Sequence, residues 1–171
     1  MRIGVISDTH GSLSAVDRCV LRAGDVDCWL HLGDIVPDAR YLAEKTGKPC
    51  YFVTGNCDGF FGHVAVEDSF PEPQALSASE RVVTFGGVRV FLCHGHNYDV
   101  EMGPYTLSYR AEELGCAAAL YGHTHVPRLE MCGGIMVLNP GSPSRPRGGR
   151  APSFAVLRIT GGKLNADMIC L

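Results

Sequence analysis

No basic excess is present in this chain: 15 Lys and Arg stand against 18 Asp and Glu, a formal net charge of -3. Such a balance creates no field for a nucleic-acid backbone, so stable nucleic-acid binding is not expected, and any nucleotide-like ligand would be held by a local site. Cys-x-x-Cys pairs are also absent. The eight cysteines stand singly at Cys19, Cys28, Cys50, Cys57, Cys93, Cys116, Cys132 and Cys170, and several fall in apolar runs, where a thiol packs as a small hydrophobe. None has an arginine six residues later, which removes a cysteine-phosphatase loop. No apolar run is long enough to cross a bilayer, and the one that follows Met1-Arg2 stops at Asp8, too short for an export core. Together these absences predict a reduced, cytoplasmic protein with no membrane segment. The G-x-S-x-G elbow, the P-loop, G-x-G-x-x-G and H-E-x-x-H are missing as well.

What is there suits one domain over residues 1–171, with 46% hydrophobic residues to build a core and 21 glycines for tight turns. Residues 3–6, 28–32 and 51–53 read as short buried strands. Between them lie two helical patterns. The first is capped by Ser14, carries Val16, Val20 and Leu21 on one face and ends near Gly24; the second is opened by Pro37-Asp38 and closed by Gly47. This β-α-β-α-β order predicts parallel strands with right-handed crossovers. The second half changes character: residues 81–85 and 88–93 flank a Gly86-Gly87 hairpin turn, a helix over 106–114 precedes a strand over 117–121, and two more hairpins turn at Gly133-Gly134 and Gly161-Gly162. Residues 140–152, rich in Pro, Gly, Ser and Arg, read as a loop. The fold class expected is α/β, with two packed mixed β-sheets and helices outside.

The chemistry lies at the ends of the apolar runs. Five of them lead into Asp8-Thr9-His10, Asp34, Asn56-Cys57-Asp58, His94-Gly95-His96 and His123-Thr124-His125. Ligands of open α/β sheets bind at the carboxyl ends of strands, so these turns are expected to converge. A set of Asp, Asn and His suits Mn, Fe(II), Zn or similar divalent ions, not a structural Cys-zinc site. It also offers more ligands than one four-coordinate ion needs, whereas two ions about 3.5–4 Å apart would use them all. Asp8 and His10 lie on one side of an extended segment, the two oxygens of Asp34 can bridge, and Asn56 adds a neutral oxygen where an anionic substrate must approach.

The series Asp8-x-His10, Gly33-Asp34, Gly55-Asn56-x-Asp58, His94-Gly95-His96 and Gly122-His123-x-His125 resembles the calcineurin-like metallophosphoesterase superfamily, whose fold is an αββα sandwich. Asn139-Pro140-Gly141-Ser142 is similar to its small bacterial and archaeal phosphodiesterase branch. The resemblance implies that Asp8, His10, Asp34 and His125 hold one metal, and that Asp34, Asn56, His94 and His123 hold a second. A hydroxide bridging the two would attack phosphorus in line. Mn is the metal expected first, with Ni, Co, Fe or Zn as alternatives, and the substrate class is a small phosphodiester or nucleotide-like molecule. Many relatives carry a histidine at position 57, where it protonates the leaving group; the phosphodiesterase branch shares Cys57. A thiol with an ordinary pKa near 8.5 is a poorer acid, which implies slow turnover and good leaving groups.

Other residues carry blander readings. His31, inside a strand, is expected to pack, and His63 is expected to be an ordinary surface or core residue. His96 is read as a contact to the substrate phosphate, with holding the loop as the alternative, and Cys57 as an occupant of the acid's position and not a nucleophile. Arg145, Arg147 and Arg150 read first as a solvated loop, with a substrate contact as the alternative. Two further functions compete: an interaction scaffold resembling the retromer subunit of the same fold, and a phosphomonoesterase or nucleotidase. A homodimer or higher homo-oligomer is compatible with the chain.

Overall fold

The computed structural model describes residues 1–61 and 74–171; His63 lies outside them. Two sheets form the centre. One holds five strands in the order β11-β10-β1-β2-β3, and the other six, in the order β4-β5-β6-β7-β9-β8. In the first, β1 (Arg2–Ile6), β2 (Cys28–His31) and β3 (Cys50–Phe52) run parallel, joined by α1 (Leu13–Ala23) and α2 (Val36–Thr46). The chain's last hairpin, β10 (Ser153–Thr160) and β11 (Lys163–Cys170), closes this sheet by pairing β10 antiparallel to β1. In the second sheet, β4 (Gln74–Ser77), β5 (Glu80–Phe85) and β6 (Val88–Cys93) are antiparallel. Next, α3 (Tyr105–Glu113) crosses to β7 (Ala118–Leu120), which is parallel to β6, and the hairpin of β8 (Arg128–Cys132) and β9 (Ile135–Asn139) completes it.

The layers follow from which faces are apolar. Ile3, Val5 and Leu30 of the first sheet meet Val90, Leu92 and Leu120 of the second in one buried cluster. A second cluster packs Val16, Cys19 and Leu42 of the helices onto Trp29 and Val156, behind the first sheet. The third packs Leu107 and Ala111 of α3 onto Phe91 and Ala119, behind the second sheet. The result is a helix–sheet–sheet–helix stack that places the strand ends of both sheets side by side.

Two local expectations are corrected. The residue capping α1 is Ser12, not Ser14, and the buried face is Ala15, Val16, Cys19 and Ala23, with Leu21 82% exposed. At about 100° per residue, Leu21 lies roughly 140° around the helix from Val16, which turns it to solvent. All eight cysteines are free thiols, five of them buried. Among the described residues no helix is long and apolar enough to cross a membrane.

Candidate metal centre

Every turn that carries a candidate ligand leaves the carboxyl end of a strand, and their backbones are unusual. Asp8, His10, Asp34, His123 and His125 all have φ between 47° and 66°, the left-handed region that side chains seldom enter. Asp8 and His10 therefore do not lie on the extended segment expected, and it is the turn that brings them together. Backbone held this way costs on the order of 1 kcal/mol or more per residue and persists where neighbours over-determine it. Asn139 is one such neighbour. Its amide donates to the Gly122 carbonyl (2.6 Å) and Thr124 Oγ1 (3.1 Å), which braces the His123–His125 turn. Ser142 Oγ donates to the Asp8 carbonyl at 2.7 Å, bracing the first turn. The Asn139-Pro140-Gly141-Ser142 segment is thus a clamp on two ligand turns.

The side chains fall into two sets. In the first, one ligand atom each from Asp8, His10, Asp34 and His125 lies within 4.8 Å of all the others. His10 Nε2 stands 3.2 Å from His125 Nε2 and 3.7 Å from Asp34 Oδ2, and His125 Nε2 is 3.2 Å from Asp8 Oδ1. In the second, Asn56 Oδ1 stands 3.1 Å from His94 Nε2 and 3.0 Å from His123 Nδ1. His94 Nε2 is also 3.4 Å from Asp34 Oδ1. The two oxygens of Asp34 therefore face different sets.

Hydrogen bonds on the far side of each ring decide where the lone pairs point. His94 Nδ1 donates to the Leu32 carbonyl (2.7 Å) and His125 Nδ1 to the Arg145 carbonyl (2.6 Å), because a carbonyl can only accept. In the neutral rings each Nε2 then presents a lone pair to the centre. His123 reverses the arrangement: Nε2 faces Glu101 Oε1 at 2.6 Å, which leaves Nδ1 as the lone pair beside Asn56. Acceptor thus faces acceptor throughout the second set, and Asp8 Oδ1 is buried with no aligned donor. Such a cluster of lone pairs fits a cation, and the outward N–H donors are the supports that metal-binding imidazoles use.

Charge states agree with this. Burial works to raise the Asp8 pKa, but His125 and His94 outweigh it and hold the carboxyl below its usual range. Burial also acts to lower His125, yet the bond to Asp8 and its charge win, so this imidazole sits above its ordinary value. A dication held between the two would favour the neutral imidazole and compete with a proton on His125. His10 is lowered by burial, only partly offset by the Asp34 charge.

His96 and Cys57 border the two sets. The His96 ring lies 5.4 Å from that of His94 and 6.1 Å from that of His123, with Nδ1 buried and without a hydrogen-bond partner among the described residues. Its pKa is lowered, by burial first and then by the neighbouring imidazoles. The Cys57 thiol is pushed up to about 11, chiefly by burial and by its bond to Asp34. His31 is structural: Gly33 N–H donates to its Nδ1 (3.3 Å), leaving Nε2 to donate to Thr9 Oγ1 (3.0 Å). One supporting residue escaped the sequence reading. Asp58 accepts the backbone N–H of Gly55 (2.6 Å), Asp34 (3.1 Å), Ile35 (2.9 Å) and Val36 (2.8 Å), tying the second ligand turn to the third and capping α2. Its place two residues after Asn56 was visible, but its partners are long-range.

Residues 1–162 match the model of the calcineurin-like phosphoesterase superfamily domain. The chain belongs to that superfamily. It is 36% identical over 175 residues to a "Probable metallophosphoesterase" of Methanothermobacter thermautotrophicus, covering 99% of this chain and 92% of the relative. It is 32% identical over 173 residues to phosphodiesterase YfcE of Escherichia coli, covering 92% and 87% of the two chains. A predicted phosphoesterase from Streptococcus pneumoniae superposes with a TM-score of 0.72 at 33% identity, covering 99% of this chain and 88% of that one. Vacuolar protein sorting 29 of Cryptosporidium parvum shares the fold alone, with a TM-score of 0.70 at 23% identity over 98% of this chain and 96% of that one. Calcineurin-like phosphoesterases use divalent metals, and the first ligand set of this chain is a cluster able to hold one.

Proposed function

We propose that the protein is a metal-dependent phosphodiesterase acting on a small phosphodiester or nucleotide-like substrate, with two divalent ions, Mn first, held by the two ligand sets. The observation that carries this reading is Asp34, whose Oδ2 faces His10 at 3.7 Å while Oδ1 faces His94 at 3.4 Å. One carboxylate between two sets is the arrangement that a shared bridge requires. When bound, the ions supply a hydroxide nucleophile and neutralise charge on the phosphoryl oxygens.

The chain's own residues do the rest. Leu32 and Arg145 carbonyls fix His94 and His125 in the tautomers that leave Nε2 free, so the ligand sets need no rearrangement. Asn56 adds an oxygen without adding negative charge. His96, with no partner for Nδ1 among the described residues, is placed to donate a ring N–H to a substrate phosphate oxygen. Cys57, with its pKa near about 11, is neither a thiolate nucleophile nor a strong acid, so leaving groups must depart largely unaided. That favours diesters with good leaving groups. The free thiols fit a reducing compartment, and the cytoplasm is the setting we assign.

The test is hydrolysis of bis-p-nitrophenyl phosphate and p-nitrophenyl phosphate by metal-stripped protein, before and after addition of Mn²⁺. Restored activity on the diester above the monoester, lost in Asn56→Ala, is expected. Activity mainly on the monoester would turn the reading to a phosphatase. Inactivity with Mn²⁺, Ni²⁺, Co²⁺ and Zn²⁺ alike would refute it and favour a scaffold.

A further inference from the structure

A cleft of about 630 Å³ opens beside the two ligand sets, a size suited to a small organic ligand. Its walls come from three separate segments: Val100 and Glu101 after β6, the stretch from Tyr121 to Arg128 after β7, and Arg147 with Arg150 from the loop before β10. The cleft adjoins both sets. Glu101 Oε1 lies 2.6 Å from His123 Nε2, Thr124 stands between His123 and His125, and Arg147 N–H donates to the His125 carbonyl at 3.2 Å.

Its chemistry is unlike that of the chain as a whole. Among the described residues, three guanidinium groups, those of Arg128, Arg147 and Arg150, line it against the one carboxylate of Glu101, in a protein whose formal net charge is -3. Glu101 is already engaged by His123, and Arg128 by Glu130 at 2.6 Å. Arg147 and Arg150 are exposed, and among the described residues neither side chain has a hydrogen-bond or ion-pair partner. A turn with Arg150 N–H donating to the Arg147 carbonyl (3.1 Å) brings the two onto one edge of the cleft. Val100, Tyr121, Val126 and Pro127 line the same cleft and give it an apolar part. Guanidinium groups recognise phosphate bidentately, and an apolar bed takes the carbon skeleton between two charged ends.

We propose that this cleft is a second phosphate subsite: the substrate is a small diester that carries a further phosphate group, seated on Arg147 and Arg150, while the scissile phosphate lies at the metal sets. This inference rests on the phosphodiesterase reading and narrows its substrate class. It also explains why the loop over 140–152 is arginine-rich without an ion pair to any described residue.

The test compares two chromogenic diesters, thymidine 5′-(p-nitrophenyl phosphate) with and without a 3′-phosphate. With the Mn²⁺-loaded protein, kcat/KM is expected to favour the 3′-phosphorylated diester by at least about tenfold, and the Arg147→Ala/Arg150→Ala double variant should bring the ratio to near one. Calorimetric titration of metal-free protein with thymidine 3′,5′-bisphosphate and thymidine 5′-monophosphate gives a second readout, with the same ratio expected and lost in the same variant. Because both arginines are exposed and have no side-chain partner among the described residues, the double variant should keep the wild-type melting midpoint. Equal kcat/KM on the two diesters overturns the subsite and leaves the hydrolase standing, as does a preference that survives in the double variant. Absent turnover with a preserved, arginine-dependent preference in calorimetry sinks the hydrolase reading and upholds the phosphate subsite.

Discussion

Replacing Gly55 by alanine isolates the packing that lets Asp34 stand between the two ligand sets. A Cβ on residue 55 would lie 2.2 Å from Asp34 Oδ1, 2.6 Å from Asp34 N and 2.9 Å from His94 Cε1. Real Cβ atoms do not approach within 3.0 Å, so either Oδ1 or the Gly55 turn must retreat by roughly 0.8 Å. Metal–ligand distances tolerate shifts of only about 0.2 Å, which makes such a retreat incompatible with a shared carboxylate in its present place. Two separable effects follow. Overpacking of this kind costs about 1–3 kcal/mol, and for a chain of this length that lowers the melting midpoint by roughly 5 °C. Misplacing a group at the reacting centre by about 1 Å costs on the order of a hundredfold in rate. The variant should therefore stay folded, bind its second metal more weakly and lose about two decades of Mn²⁺-dependent diesterase activity. Calorimetric Mn²⁺ titration, thermal melting and bis-p-nitrophenyl phosphate hydrolysis measure the three quantities. Gly59→Ala is the control, because a Cβ there meets nothing within 4 Å among the described residues. Wild-type metal affinity and turnover in Gly55→Ala would refute the reasoning, and so would an equal loss in Gly59→Ala.

Two other outcomes are expected. Asp58→Ala strands four backbone donors, those of Gly55, Asp34, Ile35 and Val36, and should cost at least about 3 kcal/mol, seen as a melting midpoint lower by roughly 10 °C in metal-free protein; an unchanged midpoint would dismiss it as the tie between the ligand turns. Mn²⁺ affinity should rise with pH above the ordinary imidazole value of about 6.5 and level off once His125, held above that value, is neutral. His10, whose pKa is lowered, releases no proton in that range, so His125→Asn should flatten the dependence. In metal-free protein the signs oppose: the raised His125 pKa stabilises at low pH and its contribution fades as pH climbs through that value, while the lowered Asp8 pKa stabilises above the usual carboxylate range and fails as pH falls. Titrations at several pH values, with melting curves alongside, check both directions.

Much of this was local and therefore written in the chain order. Gly86-Gly87, Gly133-Gly134 and Gly161-Gly162 specify hairpins because two adjacent residues with positive φ are what such turns need, and all three pairs have it. The apolar runs ending in Asp, Asn or His marked their own strand ends, and short α crossovers made β1, β2 and β3 parallel. Helix facing was less legible: Leu21 belongs to an apolar pattern, yet only the position of the first sheet says which side of α1 is covered. Three features required the tertiary structure because each joins residues far apart in sequence. The antiparallel pairing of β10 with β1 sets the order of the first sheet, and no local signal carries it. Asp58 acts through backbone donors more than 20 residues away. The arginines of the loop over 140–152 read alone as solvated surface, and become part of a cleft only when the fold brings Val100, Tyr121 and Pro127 into the same lining. Sequence determines which groups are available, since that depends on residue type and near neighbours; only the closed pair of sheets decides which of them face one another.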